Sequence, residues 1–223
     1  MTAPTAEEFF DLSDYPCRDL FQPGTPVWEA LKGISTYLES RSLTGSHARS
    51  LGQPVIRGEV YIGEGSRIDP GVYIEGPVWI GRNTHIRHGA YLRGHVVVGD
   101  GCVLGNSCEF KNCILLNEVQ VPHFSYVGDS ILGNKAHLGA GVICSNLRTD
   151  QEEIRVEWGG QRWSTGLKKL GAIAGDGVEV GCQTVLNPGT LLGPRSWLHP
   201  GIVWGGSCPP DSRITNRNIL KWR

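Results

Sequence analysis

A six-residue repeat of apolar residues constrains the fold of this chain more than any other feature of its sequence. Between Ile56 and Leu116 an apolar residue recurs at every sixth position, and the same spacing returns from Ala174 to Trp204. A second series, mostly of small or β-branched residues, lies two positions before the first, and glycine often follows the apolar position. An amphipathic helix would repeat every three or four residues, and hairpin strands would be irregularly spaced. A fixed short period therefore predicts a solenoid.

Each hexad predicts a short strand followed by a tight turn. Three hexads form one triangular coil of about 18 residues, and successive coils stack at a strand spacing of about 4.8 Å. The aliphatic residue points into the prism, and glycine allows the chain to turn at a corner. Known hexapeptide proteins coil with a left hand, which is an exception to the usual crossover rule. We predict an all-β fold, a left-handed parallel β-helix of hexapeptide repeats over residues 54–206.

Two flanking segments complete the predicted organisation. Residues 1–53 form an N-terminal extension, with an amphipathic helix at 26–40 and a linker at 41–53. Thr25 is the expected N-cap and Pro26 the first helical residue, and we expect the apolar stripe to pack against the end of the β-helix. Residues 207–223 form a C-terminal tail whose basic residues Arg213, Arg217 and Lys221 recur every four positions. They form either one stripe on a helix or a solvated tail.

The hexad rhythm breaks in the middle of the chain. After Leu116 the next inward candidates are Val121, Val127, Leu132 and Leu138, so two steps are five residues long. Pro122 and His123 occupy the first short step, which makes PHFSYVGD (122–129) the place where the scaffold is expected to carry a function. A polar, tryptophan-containing segment at 147–169 must leave the prism as a loop or small ribbon that could close over this stretch.

Composition excludes several classes of function. The chain carries 21 basic and 22 acidic residues, and a net charge of −1 argues against capture of nucleic acid or an anionic membrane. It has no apolar run of the roughly 18–20 residues needed to span a bilayer and no signal-peptide pattern at its start, so we expect a cytoplasmic protein. Seven cysteines without a CxxC pair predict reduced thiols.

Histidines raise the question of a metal site. His85, His88, His95 and His137 lie in the repeat region. Hexapeptide proteins include the γ-class carbonic anhydrases, which hold zinc through three histidines, two of them at i and i+5. This chain has no histidine pair with that spacing, so we expect no metal site.

Two cations and one histidine stand out as candidates for chemistry. Arg93 and Lys111 are 18 residues apart, which predicts that they stack about 5 Å apart on neighbouring coils. They repel each other unless an anion bridges them or both point into water. His123 is either a hydrogen-bonded histidine at a kink or a general base near neutral pH.

Three motifs together carry a resemblance to a known family. They are LRGHVVVGDGCVLGNSCEFKN (92–112), VPHFSYVGD (121–129) and LGAGVICSN (138–146). They resemble the acetyltransferase domain of the bifunctional glucosamine-1-phosphate acetyltransferase and N-acetylglucosamine-1-phosphate uridylyltransferase, over roughly residues 55–206. The resemblance implies that His123 is the base that deprotonates the sugar amine, that Arg93 and Lys111 bind the phosphate, and that Tyr126 and Asn146 contact the sugar.

The same resemblance implies further site residues and an oligomer. Lys169 matches a lysine that reaches in from a neighbouring subunit, with Lys168 as a competitor, and Glu109 matches a glutamate able to orient a basic partner. Cys182, which replaces a serine, and Arg217 match positions near acetyl-CoA. Family members are trimers with sites between prisms, so a homotrimer is expected.

The chain also departs from the family, and the departures leave alternatives open. The nucleotidyltransferase domain is missing, so we expect no nucleotide-sugar synthesis without a separate nucleotidyltransferase. The family's NYDG is replaced by Asn146-Leu147-Arg148-Thr149. The expected function is acetyl-CoA-dependent, metal-independent N-acetylation of an amino-sugar phosphate, with glucosamine 1-phosphate as acceptor. The alternatives are another amino sugar or nucleotide sugar, a non-catalytic module that partners a nucleotidyltransferase, and a γ-carbonic-anhydrase-like metalloenzyme.

Overall fold

Three parallel β-sheets wind around a common axis and form the three faces of a prism. The computed structural model describes residues 2–215, and in it each turn of the chain adds one strand to each sheet in sequence. The predicted fold class, an all-β left-handed parallel β-helix of hexapeptide repeats, is confirmed. We call the faces I, II and III in the order in which the chain visits them.

The strands of each face follow one another along the axis. Face I contains β1 (Thr44–Ser46), β4 (Val60–Ile62), β7 (Val78–Ile80), β10 (Val96–Val98), β13 (Cys113–Leu115), β16 (Ile131–Leu132), β21 (Ala172–Ala174), β24 (Thr190–Leu192) and β27 (Ser207–Cys208). Face II contains β2 (Arg49–Ser50), β5 (Arg67–Ile68), β8 (His85–Ile86), β11 (Val103–Asn106), β14 (Gln120–His123), β17 (His137–Leu138), β22 (Glu179–Val180), β25 (Trp197–Leu198) and β28 (Arg213–Ile214). Face III contains β3 (Val55–Arg57), β6 (Tyr73–Glu75), β9 (Tyr91–Arg93), β12 (Glu109–Lys111), β15 (Tyr126–Gly128), β18 (Ile143–Cys144), β23 (Val185–Leu186) and β26 (Val203–Trp204).

The interior of the prism is filled by the residues of the two hexad series. The apolar positions, such as Ile80 and Leu104, are buried, and so are Cys102 and Cys108 of the second series, as their spacing predicts. Polar members of that series bond to the neighbouring coil: Thr84 Oγ1 donates to the Gly99 carbonyl at 3.1 Å. A buried hydroxyl costs little free energy when it is hydrogen-bonded in this way.

The first short step of the repeat lies earlier than the sequence pattern predicts. Leu115 points into the prism, whereas Leu116 belongs to a second apolar cluster outside it. The five-residue step therefore runs from Phe110 to Leu115, and the prediction that it contains Pro122 and His123 is wrong. At this shortened corner Asn112 has φ of 47°. The second short step, from Val127 to Leu132, is confirmed.

The N-terminal extension packs on a side of the prism and not on its end. Within residues 2–43 lie two short 3₁₀ helices, Ala6–Glu8 and Arg18–Leu20, and the α-helix α1, Glu29–Glu39. The buried side of α1 shares the second apolar cluster with outward residues of face I, including Val97, Ile114, Ile131, Ile173 and Leu191. Face I is thus apolar on both surfaces, and the extension removes its outer surface from water. The prediction that the helix covers the end of the β-helix is wrong for this reason.

Three predicted boundaries also differ from the structure. Trp28 is the N-cap of α1, because Thr25 donates instead to the Gln22 carbonyl within the preceding turn. The stretch predicted as a linker at 41–53 contains β1 and β2, which pair with the next coil. The solenoid also continues past residue 206 through β27 and β28, since Cys208 and Ile214 pack on the prism core. Arg217 and Lys221 of the predicted basic stripe lie outside the described residues.

The excursion between residues 147 and 169 is an antiparallel hairpin. Its strands are β19 (Ile154–Trp158) and β20 (Gln161–Leu167). Ile154 and Val156 are buried in the second apolar cluster, and Trp158 packs against Phe9 with 4.7 Å between ring centroids. The hairpin is therefore held on the face I side, whereas the chain from His123 to Tyr126 runs from face II to face III. The hairpin therefore does not cover the stretch 122–129, although the sequence predicted that it could.

No helix among residues 2–215 is long and apolar enough to cross a membrane.

We predict that Ile34→Ala lowers the free energy of unfolding by about 2–5 kcal/mol, since it leaves a cavity between α1 and face I. Ile34 is fully buried in the second cluster. Urea denaturation measures the change, and Lys32→Ala on the exposed side of the same helix is the control, with a change of at most about 0.5 kcal/mol. Equal effects of the two substitutions would contradict the docking of α1 on face I.

Candidate functional site

Four of the predicted site residues lie on three neighbouring strands of face III. Arg93 ends β9, Glu109 and Lys111 open and close β12, and Tyr126 opens β15. Glu109 is in register with Tyr126 on one side and with Tyr91 on the other. The prediction that Arg93 and Lys111 lie on neighbouring strands of one face is therefore confirmed.

The two cations are neutralised by carboxylates of the protein itself. Arg93 Nη1 donates to Glu109 Oε1 at 2.6 Å, and Lys111 Nζ donates to Asp129 Oδ2 at 3.1 Å. The hydrogen bond that Arg93 donates to Glu109 raises the pKa of Arg93. Neither outcome considered from the spacing, a bridging anion or two solvated cations, describes this arrangement. The four charges sum to zero, so the site as folded has no excess of positive charge.

The two ion pairs differ in their exposure to solvent. The side chains of Arg93 and Glu109 are 44% and 34% exposed, whereas those of Lys111 and Asp129 are 27% and 6% exposed. An exposed ion pair contributes about 0–1 kcal/mol, while a buried partner cannot be separated without leaving an uncompensated charge. Arg93 can therefore exchange its partner at low cost, and Lys111 cannot.

Asp129 lies at the centre of a hydrogen-bond network at the corner between faces III and I. Its Oδ1 accepts from Asn112 Nδ2 at 2.8 Å, and its Oδ2 accepts from Asn146 Nδ2. Asn112, Asp129 and Asn146 follow one another at 17-residue intervals. Asn112 and Asp129 have φ of 47° and 46°, a region that asparagine and aspartate tolerate better than most residues.

Tyr126 is tied to this network through its hydroxyl. Asn146 Nδ2 donates to Tyr126 Oη at 3.2 Å. Burial, together with the nearby carboxylates of Asp129 and Glu109, raises the pKa of Tyr126. The phenol therefore keeps its proton, which leaves its O–H as a donor toward a ligand. A side chain on Gly128 would overlap both the Tyr126 hydroxyl and the Asn146 amide, so this glycine is required by the contact.

His123 lies at the opposite edge of face III, on the corner between faces II and III. It ends β14, and it is exposed. Among residues 2–215 its ring nitrogens have no hydrogen-bond partner, and its ring lies 6.1 Å from that of Phe124. Phe124 has φ of 52° and is 61% exposed, which is an unusual conformation for a bulky residue. His123 is thus a free imidazole on the surface, not a hydrogen-bonded histidine at a kink.

Cys182 lies on the same corner as His123. Backbone hydrogen bonds define this edge, in which Gly141 N donates to the His123 carbonyl at 3.0 Å and Gln183 N donates to the Ala140 carbonyl at 2.8 Å. His123, Ala140 and Cys182 are therefore at equivalent positions of three successive coils, and two coil spacings of about 4.8 Å separate the imidazole from the thiol. Cys182 is exposed, and the residue between the two positions is the small Ala140.

Lys169 emerges at the base of the hairpin. Leu147 and Lys169 form an antiparallel bridge, and Leu170 N donates to the Asn146 carbonyl at 3.0 Å. Both Lys168 and Lys169 are exposed, beside Asn146 of the same chain. Arg217 lies outside the described residues.

Asp129 and Asn112 are the members of this cluster that sequence reasoning did not single out. Their signal is the interval of 17 residues between Asn112, Asp129 and Asn146, one short of the regular coil. That interval marks a shortened corner in two successive coils. A polar residue at the same place in each coil then indicates a stacked polar column.

A metal site finds no support within residues 2–215, where no group of three histidine, cysteine or acidic side chains could hold an ion. His85 contacts Asp69, His88 contacts the Pro70 carbonyl, and His137 contacts Glu179.

Comparison with known proteins matches the repeat region of the chain. The family described as GMPPB C-terminal domain matches residues 74–200. The bifunctional sugar-1-phosphate nucleotidylyltransferase/acetyltransferase of Sulfurisphaera tokodaii is 39% identical over 148 residues, which cover 66% of this chain and 37% of that protein. The bifunctional protein GlmU of Methanocaldococcus jannaschii is 34% identical over 193 residues, covering 86% of this chain and 45% of that protein. The chain thus spans less than half the length of these relatives.

We predict that one of the seven thiols reacts rapidly with Ellman's reagent at pH 8 in the folded protein. Cys182 is exposed and the other six are buried, and burial raises the pKa of Cys102 and Cys144 to about 12. Since the thiolate is the reactive form, these buried thiols should react only after denaturation. Cys182→Ser should abolish the fast phase, and a fast phase of two or more thiols would contradict the packing described above.

Proposed function

We propose that this chain, which belongs to the family of the GMPPB C-terminal domain, is an acetyl-CoA-dependent N-acetyltransferase that acts on an amino-sugar phosphate, with glucosamine 1-phosphate as acceptor. The names of the two relatives reported above support this proposal, since one includes an acetyltransferase and the other is a bifunctional GlmU protein. The chain matches less than half of each relative, so the residues of the site must carry the argument.

The observation that carries the proposal is the position of the free imidazole of His123 between two sets of binding groups. On one side, face III presents Tyr126, Arg93 and Lys111, and a three-residue strand of about 10 Å separates His123 from the Asp129 network. On the other side, Ala140 and then Cys182 follow His123 along the corner between faces II and III. An acceptor on face III and a thioester lying along the corner would therefore meet at His123.

The proposed reaction requires one proton transfer at His123. The neutral imidazole takes a proton from the sugar ammonium or from the tetrahedral intermediate. The amine nitrogen forms a bond to the acetyl carbon, the bond between that carbon and sulfur breaks, and the departing thiolate of CoA takes up a proton. Holding both reactants at one corner supplies the orientation that such a bimolecular step needs.

The acceptor phosphate would bind to Arg93 in place of Glu109. Arg93 contacts Glu109 through Nη1 alone. Exchange of this partly exposed carboxylate for a phosphate keeps the guanidinium paired and allows a bidentate contact. Lys111 stays on Asp129 and contributes its remaining donors to the same anion. Tyr126 and Asn146 contact the sugar hydroxyls in this proposal, and Glu109 acts as the partner of Arg93 rather than of His123.

Three parts of the proposal come from the family resemblance. Cys182 and Arg217 are assigned to acetyl-CoA binding, Lys169 to the acceptor of a neighbouring subunit, and the enzyme is a homotrimer. A fourth part, a cytoplasmic location, comes from the composition of the sequence. The exposure of Cys182 and Lys169 is consistent with such roles.

We predict that His123→Asn lowers kcat about 10²–10⁴-fold, the usual contribution of a general base. Thiol release from acetyl-CoA is measured with a panel of amino sugars and their 1-phosphates. His137, a partly exposed histidine of the same face, pairs with Glu179. His137→Asn is the matched control and should retain full activity. Absence of turnover with every acceptor, or full activity of His123→Asn, would refute the proposed function.

We further predict that Arg93→Ala raises KM for a phosphorylated acceptor about 10–100-fold, the equivalent of losing a charge-assisted hydrogen bond of about 1.5–3 kcal/mol. KM for the unphosphorylated sugar should not change. Glu109→Gln should lower KM for the phosphorylated acceptor, because it removes the competing carboxylate. Equal effects of Arg93→Ala on both acceptors would exclude a phosphate contact at this residue.

A further inference from the structure

We infer that Asp129 is a positioning residue that holds Lys111 and Asn146 in the orientation needed to bind the acceptor. The inference rests on the proposed function, because it assigns Asp129 a role in the same acceptor site. The resemblance to the acetyltransferase domain assigns no role to this residue, and its basis is the network described above.

The carboxylate of Asp129 is fully occupied by the protein. Oδ1 accepts from Asn112 at 2.8 Å and lies 3.3 Å from Lys111 Nζ, while Oδ2 accepts from Lys111 at 3.1 Å and from Asn146. A carboxylate offers about four acceptor positions, and these contacts fill them. Asp129 is 4% exposed. It therefore acts on a ligand through its partners and not by direct contact.

Two partners of Asp129, Lys111 and Asn146, are residues proposed to bind the acceptor on face III. Lys111 is a proposed phosphate ligand, and Asn146 extends the network to the hydroxyl of Tyr126 at 3.2 Å. Without Asp129 the flexible Lys111 side chain would lose its ion-pair partner, and the Asn146 amide would keep only the Tyr126 hydroxyl as acceptor. Both side chains would then have to be ordered when the acceptor binds, and this cost should weaken binding.

The backbone of Asp129 also fixes the return of the hairpin. Gly171 N donates to the Asp129 carbonyl at 2.7 Å, two residues after Lys169. Asp129 thus contacts three points of the chain. They are Lys111 at the end of β12, Asn146 where the excursion begins, and Gly171 where the chain returns to face I. Side-chain substitution leaves this backbone contact in place, so the role of the carboxylate can be tested separately.

The substitution Asp129→Asn is suited to the test. Asparagine has the same size and tolerates the left-handed φ of 46°, but its amide offers one acceptor oxygen in place of two. Lys111 and Asn146 then compete for that oxygen. We expect KM for glucosamine 1-phosphate to rise about 10–30-fold, while KM for acetyl-CoA and kcat stay within about threefold of the wild-type values.

A double-mutant cycle separates positioning from a general loss of stability. Asp129→Asn, Lys111→Met and the double substitution are compared in acceptor KM. Asp129 acts through Lys111 and Asn146, so part of its effect should remain when Lys111 is replaced. The double variant should therefore raise KM over Lys111→Met alone by no more than about threefold, less than Asp129→Asn raises it in the wild type. The inference would be overturned if the KM increases of the two single variants multiplied in the double variant. It would also be overturned if Asp129→Asn left KM unchanged. If Asp129→Asn alone does not fold, the comparison of Lys111→Met with the double variant, in which no charge is left unpaired, decides the same question.

Asp211→Asn provides a matched control. Asp211 also has a left-handed φ, of 59°, and it pairs with a single cation, Arg195, on the exposed corner between faces I and II. This variant should leave acceptor KM unchanged. A rise equal to that of Asp129→Asn would show that loss of any such corner carboxylate has the effect, and it would overturn the inference.

Binding measurements distinguish failure of this inference from failure of the proposed function. Calorimetry with glucosamine 1-phosphate requires no turnover. If the wild-type protein shows no acetyl transfer but binds the sugar phosphate about tenfold more tightly than Asp129→Asn does, the proposed activity fails and the positioning role stands. Equal binding by both proteins, or no binding by the wild type, would overturn the positioning role.

Discussion

The stacking of one coil on the next is the interaction on which the rest of this structure depends. Each coil donates its backbone hydrogen bonds to the coil beside it, and each inward side chain contacts its equivalent in the neighbouring coils. Because a coil can close only at about 18 residues, equivalent positions form columns that run along the prism. The described groups on face III and on its two edges belong to such columns, so their neighbours in the fold follow from their distance along the chain.

The prism has one face that is apolar on both surfaces, and this determines where the rest of the chain lies. Residues of face I such as Val97 and Ile114 point outward and would expose a continuous apolar strip to water. The N-terminal extension and the hairpin both pack on that strip, and Trp158 joins them through Phe9 and a hydrogen bond to Glu8. Faces II and III are left with their polar columns exposed, which leaves face III accessible to a ligand.

The candidate site is organised by two edges of face III. At the edge toward face I, shortened corners bring Asn112, Asp129 and Asn146 into a column that orders the side chains of Lys111 and Tyr126. At the edge toward face II, a regular corner leaves His123 without a partner among the described residues and in line with Cys182. Under the proposed function, the ordered edge binds the acceptor, and the imidazole at the other edge deprotonates it.

The repeat period was sufficient to predict the fold class, because a six-residue spacing of buried residues has no helical or hairpin solution. Spacing also placed Arg93 beside Lys111 correctly, since residues one coil apart must lie on neighbouring strands. It misplaced the first short step, because Leu115 and Leu116 are both leucine and only packing shows which one points inward. The carboxylate partners of the two cations, the central position of Asp129 and the docking of α1 on face I likewise depend on contacts between distant residues, whose side-chain directions are set by the corners and not by the local sequence.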